Sequence, residues 1–233
     1  MKNDKSLLES IDLEDISADE IGDGHFVSST DTPLRPDAFD LSEEEKIEII
    51  QEHFKEIMQT LGLDLEDESL KGTPYRVAKM YVKEIFKGLN PENKPVAKKF
   101  INKYEYGDML VEKNIQVTSF CEHHFLPFIG KAHVGYFSNG NVIGLSKINR
   151  IVNHYSRRPQ VQERLTLQIA NELVDALETE NVAVFIESKH LCVSTRGIQD
   201  VTSSTVTSEF RGKFKEADIQ RKFIEYIKTK TEM

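Results

Sequence analysis

Hydrophobic periodicity switches repeatedly between helical and strand spacing along this chain, and the order of the switches leaves few folds open. Ile47, Ile50, Phe54, Ile57, Met58 and Leu61 recur at helical spacing, and Val77, Met80, Tyr81 and Ile85 mark a second helical face. Strand-like segments rich in β-branched and aromatic residues follow at 115–121 and 129–137, with a Ser138-Asn139-Gly140-Asn141 turn leading to a short strand at 142–144. Two further helices are predicted: one runs through about Arg157, and the other spans 160 to about 180 with Val161, Leu165, Ile169, Leu173 and Leu177 in register. Strands at 182–187, 191–196 and 205–211 come next, then a terminal helix through Ile219, Phe223, Tyr226 and Ile227. Paired strands segregated from paired helices indicate the α+β class, an antiparallel sheet with helices on one face.

Local signals set the boundaries. Ser42 with Glu45 three residues later forms a capping box, and Gly62 closes that helix. Thr73 followed by Pro74 reads as an N-cap with proline at the first helical position. Ser146 is the expected cap of the third helix, and Pro159 its stop.

The first forty residues are different in kind. Residues 1–38 hold ten Asp or Glu against three Lys or Arg, so this stretch carries −7 of the net −9 and the rest is near neutral. Such a segment buries too little apolar surface to offset its ordering entropy. Three regions are predicted: a disordered acidic extension over 1–40 with a transient helix at 6–16, a helical region over 41–90, and an α+β domain over 91–233. No apolar run approaches the roughly 18 residues of a membrane span, and the N-terminus lacks a secretory apolar core. The near-neutral remainder argues against a nucleic-acid partner. Only two cysteines are present, too few for a disulfide framework, which suits reduced thiols in the cytoplasm.

Those two cysteines sit in histidine-bearing stretches, CEHHFLPFIG from Cys121 and KHLCVSTRG around Cys192. Cys121, His123, His124, His190 and Cys192 are donors that zinc prefers. Two thiolates and one imidazole would leave a position for water, as in a catalytic zinc site; a fourth ligand, for which His190 is available, would make the site structural. Spacing does not say which histidine binds. Adjacent strand side chains diverge, so His123 and His124 should do different jobs.

Cations recur at anion-binding spacings. Arg76 and Lys79 share a helix face, Lys147 and Arg150 open the helix expected to start at Ser146, and Arg196 follows Cys192 by four residues. Any one of them taken alone reads as solvated surface. Gln162-Glu163 could read the donor edge of a purine, although helix residues of this type are usually exposed.

Taken together, CEHHF, GKAHVGY, VIGLSKINRIV, RRPQVQERLT, HLCVSTRG and TPYRVAKMY resemble the GTP cyclohydrolase I family from about Leu41 to Phe214. The resemblance implies zinc held by Cys121, His124 and Cys192, with His123 and His190 as acid–base histidines. Gln162 and Glu163 would hold the guanine edge. Ser146, Lys147, Arg150 and Arg196 would contact ribose and triphosphate, with Arg76 and Lys79 from a neighbouring subunit. It further implies the tunnelling fold, a homodecamer, and hydrolysis of GTP to 7,8-dihydroneopterin triphosphate and formate at the start of pterin and tetrahydrofolate biosynthesis. Two other readings share parts of the pattern: a non-catalytic zinc module, and an enzyme of the same fold acting on another purine or pterin.

Overall fold

The computed structural model describes residues 29–230, so the helix expected at 6–16 lies outside the described residues. The elements in order are α1 (Glu43–Thr60), α2 (Thr73–Met80), β1 (Lys99–Ile101), β2 (Leu110–Cys121), β3 (Pro127–Tyr136), β4 (Asn141–Ile143), α3 (Leu145–Ser156), β5 (Pro159–Gln160), α4 (Gln162–Leu177), β6 (Val182–His190), α5 (Leu191–Ser194), β7 (Thr205–Phe210) and α6 (Ala217–Lys228). The capping box is present: the Glu45 N–H donates to Ser42 Oγ at 3.2 Å and the Ser42 N–H to Glu45 Oε2 at 2.8 Å. Gly62 ends the run at φ +80°, the left-handed conformation that glycine adopts without steric cost. Thr73 is not a cap. Gly72 holds that position, and the Thr73 hydroxyl instead accepts from the Arg76 guanidinium at 2.9 Å. α2 runs on into a single π turn, Tyr81–Ile85.

Five strands form the main sheet in the order β5-β2-β3-β6-β7. Neighbours pair antiparallel, except that the two-residue β5 lies parallel to β2. β3 opens on Pro127, a strand position where a missing N–H is tolerated. Helices α3 and α4 cover one face, where Ile148, Ile151, Leu165, Ile169 and Leu173 pack with Val182, Val184 and Ile186. The alternate residues Ala183 and Phe185 meet Phe214 and Phe223, so α6 covers part of the other face.

Two further local expectations need correction. The stretch 191–196 is not a strand: after His190 the chain coils into the single turn α5, with the Thr195 N–H and hydroxyl both donating to the Leu191 carbonyl. Alternating Leu191 and Val193 look like a strand, but the sheet ends where the chain must turn. The expected cap Ser146 lies inside α3, whose N-cap is Gly144 with no side-chain bond. The short strand expected at 142–144 is present as β4 and pairs with β1 in a separate two-stranded ribbon.

One buried polar contact in this scaffold makes stability depend on pH. His154 on α3 is buried, and Arg158 Nη2 donates to its Nε2 at 2.8 Å. Burial first, then the charges of Arg158 and Lys94, push its pKa down to about 4. The unfolded chain therefore binds this proton more readily than the folded one, so stability is present above the ordinary histidine range near 6.5 and is lost as pH falls toward 4. The expected loss between pH 7 and pH 5 is about 2 kcal/mol. Urea midpoints at both pH values should show it, and His154→Gln should flatten that difference.

Candidate active site

Cys121 is the last residue of β2, and the loop from Glu122 to Leu126 turns back into β3. The turn is tight: the Cys121 N–H donates to the Leu126 carbonyl at 2.8 Å, and the Phe125 N–H to the Cys121 carbonyl at 2.9 Å. Phe125 takes φ +54° to close it. On the other side of β3, Phe128 is in register with His190, the last residue of β6. The helical turn α5 that follows brings Cys192 back toward the loop.

Among the described residues, Cys121, His124 and Cys192 form a cluster whose ligand atoms all lie within 4.8 Å of one another. Cys121 is buried, Cys192 half-buried and His124 exposed. His124 Nδ1 lies 3.8 Å from Cys121 Sγ, while Arg196 Nη1 donates to His124 Nε2 at 2.9 Å. The hydrogen bond from the Cys192 thiol, helped by His124, pulls the Cys121 thiol down to about 4, and the same contact pushes Cys192 up. Two thiols and an imidazole suit a borderline metal such as zinc, so the residues present fit that ion. Among the described residues His190 is outside the cluster, so three side chains could hold an ion, one fewer than in a structural site.

The two remaining histidines flank the cluster differently. His123 Nδ1 is 3.7 Å from Cys121 Sγ, and its Nε2 is 3.9 Å from a Glu122 carboxylate oxygen. The His123 and His124 rings are nearly perpendicular, at 83°. His190 stacks on Phe128 with centroids 4.6 Å apart and faces Gln162 Oε1 at 2.8 Å. Burial lowers its pKa, against the opposing charges of Cys121 and Glu163. Gln162 is itself buried, with its amide nitrogen donating to the Ile186 and Thr205 carbonyls. That fixes the amide orientation and makes Oε1 the acceptor. His190 must then carry its proton on Nε2, which leaves Nδ1 as the basic nitrogen.

The expected substrate residues fall into groups. Glu163 is exposed in the first turn of α4, and Arg196 stands at the edge of the cluster. Lys147 and Arg150 instead line a cleft of about 670 Å³, together with Lys87, Gln116 and Asn153; Ser146 is exposed in the first turn of the same helix. Gln116 precedes Cys121 by five residues along β2, about 17 Å at strand rise, so this cleft lies well along the sheet from the cluster. Arg76 and Lys79 are exposed on α2. The π turn after that helix packs Tyr81 and Phe86 on Phe125, with centroids 6.4 and 5.2 Å apart.

Sequence reasoning passed over Glu122 and Arg164. Arg164 is buried on α4, and its guanidinium grips both carboxylate oxygens of Glu122. A charged residue on a helix reads as solvated until its burial is known.

A family model described as GTP cyclohydrolase I matches residues 50–228. The chain belongs to the GTP cyclohydrolase I family. A GTP cyclohydrolase 1 of Flavobacterium johnsoniae is 64% identical over 214 residues, covering 92% of this chain and 96% of the relative. GTP cyclohydrolase 1 proteins of Citrobacter koseri and Salmonella arizonae are each 50% identical over 191 residues, covering 82% of this chain and 86% of the relatives. As a family member the chain is an enzyme, a hydrolase with GTP cyclohydrolase activity. Among its described residues, no helix is long and apolar enough to cross a membrane.

Proposed function

We propose that the chain binds zinc through Cys121, His124 and Cys192 and hydrolyses GTP to 7,8-dihydroneopterin triphosphate and formate. This is the first step of pterin and tetrahydrofolate biosynthesis, part of one-carbon metabolism, and we place it in the cytoplasm. The observation that carries the reading is the three-ligand cluster in a chain of this family. Bound zinc would supply Lewis-acid activation of water, which makes a strong nucleophile available near neutral pH.

The protein's own residues handle protons and position. In this reading His123 and His190 exchange protons with the purine, and protonating N7 makes C8 open to attack. His190 Nδ1 is suited to accepting a proton in that exchange, because Gln162 holds the ring proton on Nε2 and burial disfavours the charged form. Glu163 accepts the guanine N–H donors, with Gln162 behind it. Arg196 holds the near end of the substrate beside His124.

The triphosphate needs more cations than one chain brings to its own cluster. The distance between that cluster and the cleft holding Lys147 and Arg150 supports a homo-oligomer, a decamer by family resemblance, in which one copy's cluster faces another copy's Ser146, Lys147 and Arg150. Arg76 and Lys79 join from a neighbour in the same way. Residues 91–233 are then the tunnelling-fold catalytic unit, 41–90 a helical region and 1–40 an extension. Incubating the chain with GTP tests the activity: formate and oxidised-neopterin fluorescence should appear in equal amounts and stop with a chelator. Formate without a fluorescent pterin, or neither, would contradict the assignment.

A further inference from the structure

The Glu122–Arg164 pair belongs to a closed ring of partly buried contacts beside the metal-binding loop. Arg164 is 3% exposed, and burying a guanidinium is costly unless it is paired and hydrogen-bonded. Its fork takes both Glu122 oxygens, and its Nε donates to the Ser29 carbonyl at 3.1 Å. The next carbonyl, Thr30, accepts from Gln168 Nε2 at 3.2 Å, and Gln168 Oε1 accepts from Gln160 Nε2 at 2.8 Å. The Gln160 carbonyl then accepts the Glu122 N–H at 3.0 Å, which completes the circuit. Glu122 stands between Cys121 and His123, so whatever orients Glu122 sets the peptide that joins a metal ligand to a catalytic histidine.

We propose that Arg164 is a positioning residue for the loop carrying Cys121, His123 and His124, and that the backbone at Ser29–Thr30 is a strap holding Arg164 in place. The proposal rests on the metal assignment above. A bidentate guanidinium fixes both the position and the plane of a carboxylate, which a lysine cannot do. The strap works through main-chain carbonyls, which explains how a segment without sequence motifs takes part. Because the contacts are linked around the buried Arg164, loss of the fork releases the loop, not only one bond.

The test uses the full chain loaded with cobalt(II), whose visible spectrum reports ligand geometry, together with GTP kinetics and thermal unfolding. Arg164→Met should lower kcat about 10- to 100-fold, the usual range for residues that orient metal ligands, with KM for GTP within about twofold. The cobalt bands should shift or weaken, and Arg164→Lys should recover part of kcat. A kcat within about twofold of wild type and an unchanged cobalt spectrum would overturn the proposal. So would an equal loss of kcat in Ile169→Ala, a core variant of the same helix, at matched thermal stability. If Arg164→Met does not fold, Glu122→Gln carries the same test with the same two outcomes. A wild-type chain that takes up no cobalt overturns the metal assignment and this proposal with it; a normal wild-type spectrum that the variants leave unchanged overturns only this one.

Discussion

Cys192→Ser should leave a folded protein that neither holds zinc nor turns over GTP. Cys192 lies on the single turn α5, half-buried, so an oxygen in place of sulfur disturbs little packing. Thermal unfolding of the metal-free chains should therefore be nearly the same. Metal binding is another matter. A serine hydroxyl stays protonated at neutral pH and is a poor zinc ligand, while the remaining Cys121 and His124 make too small a site. Zinc should fall from about one per chain to less than about a tenth. Loss of Lewis-acid activation, worth several kcal/mol, should reduce turnover by about 1,000-fold or more. Full activity in this variant would remove Cys192 from the site.

The second large effect depends on assembly. Lys147→Met with Arg150→Met should be nearly inactive, because losing two charge-assisted phosphate contacts lowers turnover by about 100-fold or more. Each such chain still has Cys121, His124 and Cys192, whereas Cys192→Ser chains keep both cations. If each site joins one copy's cluster to another copy's cations, coassembly of the two inactive proteins creates complete sites. With equal random mixing, about a quarter of the sites should be complete and activity should return to about that fraction of wild type. No recovery from a mixed assembly would mean that both sets of groups must come from one chain, against the distance along β2 that separates them here.

Much of the scaffold could be read from periodicity. Continuous helical faces gave α1 and α4, and the β-branched runs gave β2, β3 and β6 to within a few residues at most ends. The apolar run Val182-Ala183-Val184-Phe185-Ile186 has no polar alternation, which is the mark of a strand covered on both sides. The expectation of helices on one face alone was too narrow, because α6 packs on the face opposite α3 and α4. Cys192 was harder to place, since residues in a helical turn at the end of a strand keep the strand's hydrophobic alternation. The ligand choice between His123 and His124 was not in the spacing at all; it came from resemblance, and the loop geometry that joins His124 to both thiols depends on the turn at Phe125. Arg164 and Gln162 were opaque for one shared reason. Polar side chains on a helix look exposed in sequence, and only three-dimensional packing shows that one holds Glu122 and the other His190.

The most direct measurement is zinc K-edge X-ray absorption on the wild-type chain. The account expects two sulfur neighbours at about 2.3 Å and a shell of nitrogen or oxygen at about 2.0–2.1 Å. Two sulfurs with light atoms completing four-coordination would match Cys121, Cys192, His124 and one exchangeable position. A shell with no sulfur, or with more than two, would contradict the site on which the proposed chemistry depends.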